Sequence, residues 1–186
     1  MIVQMAGLPG TGKSSLAAAL HTRLGQGCLV LDKDRVRAAF YEASGHVTYS
    51  RDQDDFVISL LHQAAREHLT RYPDATVILE RTCTRSYQIG DVVRLAAGLQ
   101  QPLAIIRCWC PAPIARARLA ADRQHDRHPA SDRDFALYQR LHATADRIDA
   151  PALHLRTDAP PARILTAAIA YLHDISAAST PVGATR

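Results

Sequence analysis

A glycine-rich segment near the N-terminus constrains the fold more than any other part of the chain. Residues 7–14 read Gly-Leu-Pro-Gly-Thr-Gly-Lys-Ser and match the pattern G-x-x-x-x-G-K-[ST] at every fixed position. The apolar run 2–6 comes directly before it, and Leu16, Leu20 and Leu24 follow at the spacing of an amphipathic helix. In such a strand–loop–helix unit, backbone N–H groups converge on an oxyanion at the start of the helix. The segment therefore predicts a phosphate-binding loop.

The fixed residues of this loop have separate chemical tasks. Glycine allows the backbone to approach phosphate oxygens, Lys13 can reach the β- and γ-phosphates of a nucleotide, and the Ser14 hydroxyl can bind Mg²⁺. We expect the Lys13 ammonium to be accessible to solvent when no phosphate is bound. The predicted ATP-binding residues are Gly7, Leu8, Pro9, Gly10, Thr11, Gly12, Lys13, Ser14 and Ser15.

Two other nucleotide-binding classes conflict with the sequence. A dinucleotide-binding fingerprint that starts at Gly10 needs glycine at the position of Ser15. A GTPase needs an asparagine-containing guanine-recognition element, and the chain contains no asparagine. ATP hydrolysis, ATP-dependent phosphoryl transfer and a nucleotide-binding module remain as alternatives.

Short apolar segments alternate with helical patterns five times along the chain. This alternation predicts an α/β fold with a five-stranded parallel sheet and helices on both faces. In the helical pattern at 52–71, we expect Phe56, Leu61 and Leu69 to share the buried face. We expect one domain at 1–173 and a disordered tail at 174–186.

Composition narrows the class of protein further. Of 186 residues, 47% are hydrophobic and 22% are charged, which is typical of a globular domain. We find no apolar run long enough to span a membrane and no signal-like N-terminus, so we expect a cytoplasmic protein without a membrane partner. The four cysteines form no CxxC pair and are expected to be reduced and buried.

Three side chains outside the loop are candidates for chemistry. Asp34 and Arg37 follow the second predicted strand, at the edge where open α/β sheets bind ligands. There Asp34 could accept a hydroxyl proton, and Arg37 could hold an anionic substrate. Glu80 ends the third predicted strand, where a carboxylate could organise Mg²⁺ through water or orient a substrate.

An arginine-rich run between the fourth and fifth strands predicts a mobile lid at about 122–133. Arg118 and Arg123 are the arginines that we expect to close over a transferring phosphoryl group. Four aspartates dilute the charge of this region, and aromatic residues make up only 5% of the chain. A nucleic-acid groove would combine basic residues with exposed aromatic rings, so this pattern favours a small-molecule partner.

The phosphate loop together with Asp34-x-x-Arg37 resembles the small P-loop kinases of the nucleoside-monophosphate-kinase type. Within that group, the chain looks most like the ATP-binding family related to polynucleotide 5′-kinase domains, zeta toxins and gluconate kinases. The resemblance implies the strand order 2-3-1-4-5, a lid after strand four, and the use of ATP and Mg²⁺. It also implies that Asp34 and Arg37 lie on the substrate side.

These observations predict an ATP-dependent kinase that moves the γ-phosphoryl group of ATP to a hydroxyl of a small-molecule acceptor. The predicted catalytic residues are Lys13, Asp34, Arg37, Arg118 and Arg123, with Ser14, and Glu80 as a second candidate, at the magnesium ion. Two alternatives stay open at this point: a polynucleotide 5′-hydroxyl kinase, and a nucleotide-binding regulatory module without catalysis.

Overall fold

The computed structural model describes residues 1–124, 133–147 and 149–179. In these ranges the chain folds into one five-stranded, all-parallel sheet with seven α-helices. The strands are β1 (Ile2–Ala6), β2 (Cys28–Asp32), β3 (Thr76–Glu80), β4 (Leu103–Trp109) and β5 (Leu153–Arg156). The helices are α1 (Lys13–Leu24), α2 (Lys33–Tyr41), α3 (Arg51–Arg71), α4 (Ser86–Gly98), α5 (Ala112–Gln124), α6 (Phe135–Thr144) and α7 (Pro161–Ser179), with a short 3₁₀ helix at Gly25–Gly27.

The sheet has the order β2-β3-β1-β4-β5, which confirms the predicted fold class and strand order. Every residue of the central strand β1 is buried, because helices cover both faces of the sheet. Val3 and Met5 pack with apolar residues of α1 and α7 on one side. Ile2 and Val77 pack with α3 and α4 on the other.

The register of the strands brings their carboxyl ends to one edge. Met5 of β1 pairs with Glu80 of β3, and Glu80 in turn pairs with Asp32 at the end of β2. The glycine-rich loop leaves β1 at this same edge, one residue beyond Ala6. The topology therefore places the loop beside the two carboxylates, although they are separated by long stretches of sequence.

Two predicted segments, the tail and the lid, begin inside helices of the structure. Helix α7 continues to Ser179, so the residues 174–179, which were expected to begin a disordered tail, are helical. The remaining tail residues, 180–186, lie outside the described residues. The predicted lid at 122–133 begins inside helix α5, which ends at Gln124, and its residues 125–132 also lie outside the described residues.

The buried face of α3 differs by one position from the prediction. Val57, Leu61, Ala65 and Leu69 recur every four residues and are buried against the sheet. Phe56 lies a step of about 100° around the helix from Val57 and is 46% exposed. The expectation that Phe56 belongs to the core was wrong, because the stripe that faces the sheet starts one residue later.

Among the described residues, we find no helix with both the length and the apolar character needed to cross a bilayer.

Leu61→Ala and Phe56→Ala test this assignment of faces. Leu61 is 2% exposed, so its truncation should lower the free energy of unfolding by about 2–5 kcal/mol. Phe56→Ala is the matched control and should change it by only about 0.5 kcal/mol. Urea denaturation of the three proteins measures both values, and a larger loss for Phe56→Ala would contradict the observed face.

Candidate active site

The phosphate loop depends on glycine at positions where no side chain fits. Gly7, Gly10 and Gly12 all have positive φ angles, of 139°, 75° and 79°. A Cβ atom on Gly7 would collide with the carbonyl oxygen of Cys108, and one on Gly10 would lie 2.7 Å from the carbonyl oxygen of Ala115. The loop thus packs its backbone directly against the end of β4 and the start of α5.

Lys13 turns back onto the loop that precedes it. Its Nζ donates a hydrogen bond to the Leu8 carbonyl oxygen at 2.9 Å, and the residue is only 5% exposed. The expectation of a solvent-accessible ammonium was therefore wrong. Burial is the main cause that lowers the pKa of Lys13 to about 8, and the nearby Arg133 lowers it further. The attraction of Glu80 and Asp34 acts in the opposite direction.

Ser14 and Glu80 meet at the carboxyl edge of the sheet. The Ser14 hydroxyl donates a short hydrogen bond to the Glu80 carboxylate. Burial, followed by the charge of Asp32, raises the pKa of Glu80, whereas the bond from Ser14 lowers it. Mg²⁺ prefers oxygen ligands and keeps several of its waters, so this hydroxyl and carboxylate suit it. Among the described residues, we find no group of three or more His, Cys, Asp or Glu side chains that could hold a metal by themselves.

Asp34 and Arg37 lie together on the first turns of α2, as predicted from their spacing. The helix starts at its cap Asp32, whose carboxylate accepts a hydrogen bond from the Asp34 backbone N–H at 2.8 Å. Arg37 Nη1 donates to the Asp34 carboxylate at 3.0 Å, and Arg37 Nη2 contacts Asp54 of α3. Lys33 Nζ lies 3.2 Å from the same Asp54. Two cations and two carboxylates therefore form one network, and Arg37, at 2% exposure, is already paired within it.

Two cavities of about 550 Å³ each open at this edge of the sheet. Asp34, Arg37 and Glu80 line the first, and Gly10, Gly12 and Arg118 line the second. Ser14 and Arg133 line both. The two cavities thus adjoin at the end of the phosphate loop.

The two arginines predicted to close over the phosphoryl group, Arg118 and Arg123, lie in different surroundings. Arg118 donates to the Thr157 carbonyl oxygen at 2.7 Å and to the Thr157 hydroxyl at 3.3 Å, and this hydroxyl in turn donates to the Thr11 carbonyl oxygen at 2.8 Å. These bonds hold Arg118 against the phosphate loop. Arg123 is exposed near the end of α5 and lines neither cavity.

Arg81 and Arg133 are two cavity residues that we did not predict as site residues. Arg133 was recognised only as part of the arginine-rich run, yet it lines both cavities and its charge acts on Lys13 and Glu80. Arg81 follows Glu80 directly and lines the first cavity. Its position after the last residue of a buried strand, at the ligand-binding edge, is the signal that could have identified it.

The four cysteines are free and buried, as expected. Cys83 lies at the first cavity in a left-handed backbone conformation, with φ of 52°. Burial raises the pKa of its thiol to about 11, so it is held as the protonated thiol rather than as a nucleophilic thiolate.

Comparison with known proteins agrees with this architecture. A family model described as "AAA domain" matches residues 2–157, which is most of the chain. No curated protein is similar enough in sequence to count as a match.

Several solved structures share the fold at low sequence identity. A proposed kinase from Chloroflexus aurantiacus J-10-fl has a TM-score of 0.73 and 22% identity, over 93% of this chain and 96% of that one. A gluconokinase from Sinorhizobium meliloti 1021 has a TM-score of 0.68 and 16% identity, over 95% and 93%. Chaetomium thermophilum Kti12, solved in complex with ADP-AlF3, has a TM-score of 0.66 and 15% identity, over 92% and 98%.

The low pKa of Lys13 predicts that ADP binding weakens with rising pH. Above about pH 8 the free protein holds a neutral amine, so binding of a phosphate there requires the uptake of a proton. Affinity should then fall about tenfold for each pH unit above this value. Calorimetric titration with ADP in two buffers of different ionisation enthalpy measures both the affinity and the proton uptake.

Lys13→Arg is the control for that titration, because a guanidinium stays charged over this range. Its ADP affinity should lack the decline, even if its absolute value differs. A wild-type affinity that is constant through this pH range would contradict the buried, neutralised state of the lysine.

Arg118→Ala and Arg123→Ala should differ in ADP affinity. Arg118 borders the cavity beside the phosphate loop, and hydrogen bonds of a charged group contribute about 1.5–3 kcal/mol, so its loss should weaken binding at least about tenfold. Arg123→Ala removes an exposed charge and should stay within about twofold of the wild type. Melting temperatures check that the loss of the bonds to Thr157 leaves the fold intact, and equal effects of the two changes would contradict the placement of Arg118.

Proposed function

We propose that this chain, which belongs to the AAA domain family and has the fold of the small P-loop kinases, transfers the γ-phosphoryl group of ATP to a hydroxyl of a small-molecule acceptor. One observation carries the proposal. The second cavity, beside the phosphate loop, adjoins the first cavity, which contains Asp34, and Ser14 and Arg133 line both where they meet. A donor nucleotide in one cavity and an acceptor in the other would bring their reacting atoms to this junction.

The phosphate loop is the proposed ATP site. The backbone N–H groups at the start of α1 and the charge of Lys13 would bind the β- and γ-phosphates. Lys13 would exchange its bond to the Leu8 carbonyl oxygen for phosphate oxygens. Ser14, with Glu80 beside it, would hold Mg²⁺, which neutralises phosphate charge when it is bound.

Asp34 is the proposed general base. The acceptor hydroxyl oxygen forms a bond to the γ-phosphorus while the bond from that phosphorus to the β,γ-bridging oxygen breaks, and ADP leaves with the bonding electrons. The hydroxyl proton passes to the Asp34 carboxylate. Arg37 was predicted to hold an anionic part of the acceptor, but its pairing with Asp34 and Asp54 supports a positioning role instead.

The negative charge of the transferring phosphoryl group would be stabilised by cations near the place where the two cavities meet. Arg118 and Arg133 are both in reach of this region, as their positions beside the phosphate loop and at both cavities indicate. Fixed cations that face developing charge are among the largest contributors to catalysis. Arg123 has no comparable position among the described residues, so we assign it no part in transfer.

A non-catalytic nucleotide-binding role is the second candidate. Its support is that the phosphate loop at the start of α1 accounts for nucleotide binding without any acceptor. The two candidates differ in what they do with ATP. A kinase moves labelled γ-phosphate to an acceptor, whereas a regulatory module at most hydrolyses ATP slowly and independently of any acceptor.

A screen of hydroxyl acceptors with γ-labelled ATP separates these candidates. The screen should include sugars, aldonic acids, aminoglycosides and a 5′-hydroxyl oligonucleotide. We expect label to appear on a small acceptor. Label on the oligonucleotide alone would make the protein a polynucleotide kinase, and slow release of phosphate that no acceptor accelerates would favour the regulatory role.

Asp34→Asn should lower the rate of transfer far more than it weakens ATP binding. Loss of a general base typically costs about 10²–10⁴-fold in rate, while Asp34 lies outside the phosphate loop. Single-turnover kinetics give the rate, and calorimetry gives the ATP affinity. Asp52→Asn is the matched control, because Asp52 is exposed on α3 and lines neither cavity. If ATP affinity fell in step with the rate, Asp34 would instead be a metal-binding or structural residue.

A further inference from the structure

The cations around the first cavity fall into two groups. Most of them are paired with a carboxylate, which offsets part of their charge. The pairs are Lys33 with Asp34 and Asp54, Arg37 with the same two aspartates, Arg51 with Asp55 at 3.7 Å, and Arg85 with Asp146 at 3.2 Å.

Arg81 is different. It is 6% exposed and lines the cavity, yet its side chain makes no hydrogen bond or ion pair to any residue within 1–124, 133–147 and 149–179. Asp55 and Asp91 are close enough to act on its charge, but neither lies within ion-pair distance. An arginine does not lose its proton in a protein, so a buried cation with five N–H donors faces this cavity.

A buried, unpaired guanidinium is costly unless a ligand supplies the missing charge. The fork of N–H donors matches the two oxygens of a carboxylate or a phosphate. The cavity, at about 550 Å³, is of the size that encloses a small ligand. We infer that Arg81 binds an oxyanion of the acceptor, a carboxylate or a phosphate monoester, at a place separate from the hydroxyl that is phosphorylated.

This inference rests on the proposed function and names its acceptor class: a small hydroxyl compound that carries an anionic group. A polynucleotide fits the cavity less well. A nucleic-acid strand needs a row of unpaired cations together with free aromatic faces for stacking. Here one face of the Tyr49 ring and one face of the Tyr87 ring are occupied by the guanidinium groups of Arg37 and Arg51, at 5.1 and 5.4 Å from the ring centroids.

The test compares binding of matched anionic and neutral compounds to the full chain saturated with ADP and Mg²⁺. The pairs are gluconate with sorbitol, and glycerol 3-phosphate with glycerol, so that the two sources of the oxyanion are distinguished. For at least one pair, the wild type should bind the anion at least about tenfold more tightly, as expected for charge-assisted hydrogen bonds. Arg81→Gln should reduce that preference to about twofold or less, without a change in ADP affinity.

Two further variants keep the result interpretable. Arg81→Lys retains the positive charge but not the paired N–H donors of the guanidinium, so it should retain only part of the preference for the anion. If Arg81→Gln does not fold, this partial loss is the result that tests the role of Arg81. Arg85→Gln removes a cation of the same cavity that is already paired with Asp146, and it should keep the wild-type preference. Melting curves of all variants confirm that each is folded.

The outcomes separate the inference from the function on which it rests. An anion preference that depends on Arg81, together with no transfer of γ-phosphate to any acceptor, would support the anion site and overturn the kinase. Transfer without any anion preference would support the kinase and overturn the inference. The inference is also overturned if Arg85→Gln removes the preference as fully as Arg81→Gln, or if a 5′-hydroxyl oligonucleotide binds more tightly than every small anion.

Discussion

The close approach of the phosphate loop to strand β4 and helix α5 is the constraint on which the rest of the site depends. Gly7 and Gly10 place their backbone against the carbonyl oxygens of Cys108 and Ala115, where a single Cβ atom would not fit. Thr157 then joins the loop to the end of β5 through its hydroxyl, which donates to the Thr11 carbonyl oxygen. The ends of β4 and β5 and the start of α5, all far from the loop in sequence, are thereby fixed around this one turn of backbone.

Charge is distributed unevenly around this turn. On the acceptor side, most cations are held by carboxylates, and Arg37 illustrates this by contacting both Asp34 and Asp54. Such pairing fixes the side chains and removes the broad positive field that would attract a polyanion. It also makes the few cations without a carboxylate, Arg81 above all, the positions where an anionic ligand gains most.

Much of the fold could be predicted from the sequence, because the order of strands and helices and the phosphate loop are each specified by local sequence patterns. The alternation of apolar strands with helices led to the parallel sheet, and the loop motif led to the position of Lys13 and Ser14. Prediction was weaker where burial depends on one step around a helix, as for Phe56. It also failed for Lys13, whose exposure depends on a hydrogen bond to Leu8 and on packing that the motif does not encode.

The sequence by itself determined the phosphate loop, the class of fold and the edge of the sheet at which chemistry is expected, because glycine spacing and hydrophobic periodicity act over short distances along the chain. Only the tertiary structure decided which charges pair and which remain available to a ligand. Arg118 and Arg123 look alike in sequence, yet one is bonded to Thr157 beside the loop and the other is exposed. The physical reason is that ion pairing and burial depend on contacts between residues far apart in sequence, such as Arg85 with Asp146, and no local pattern specifies them.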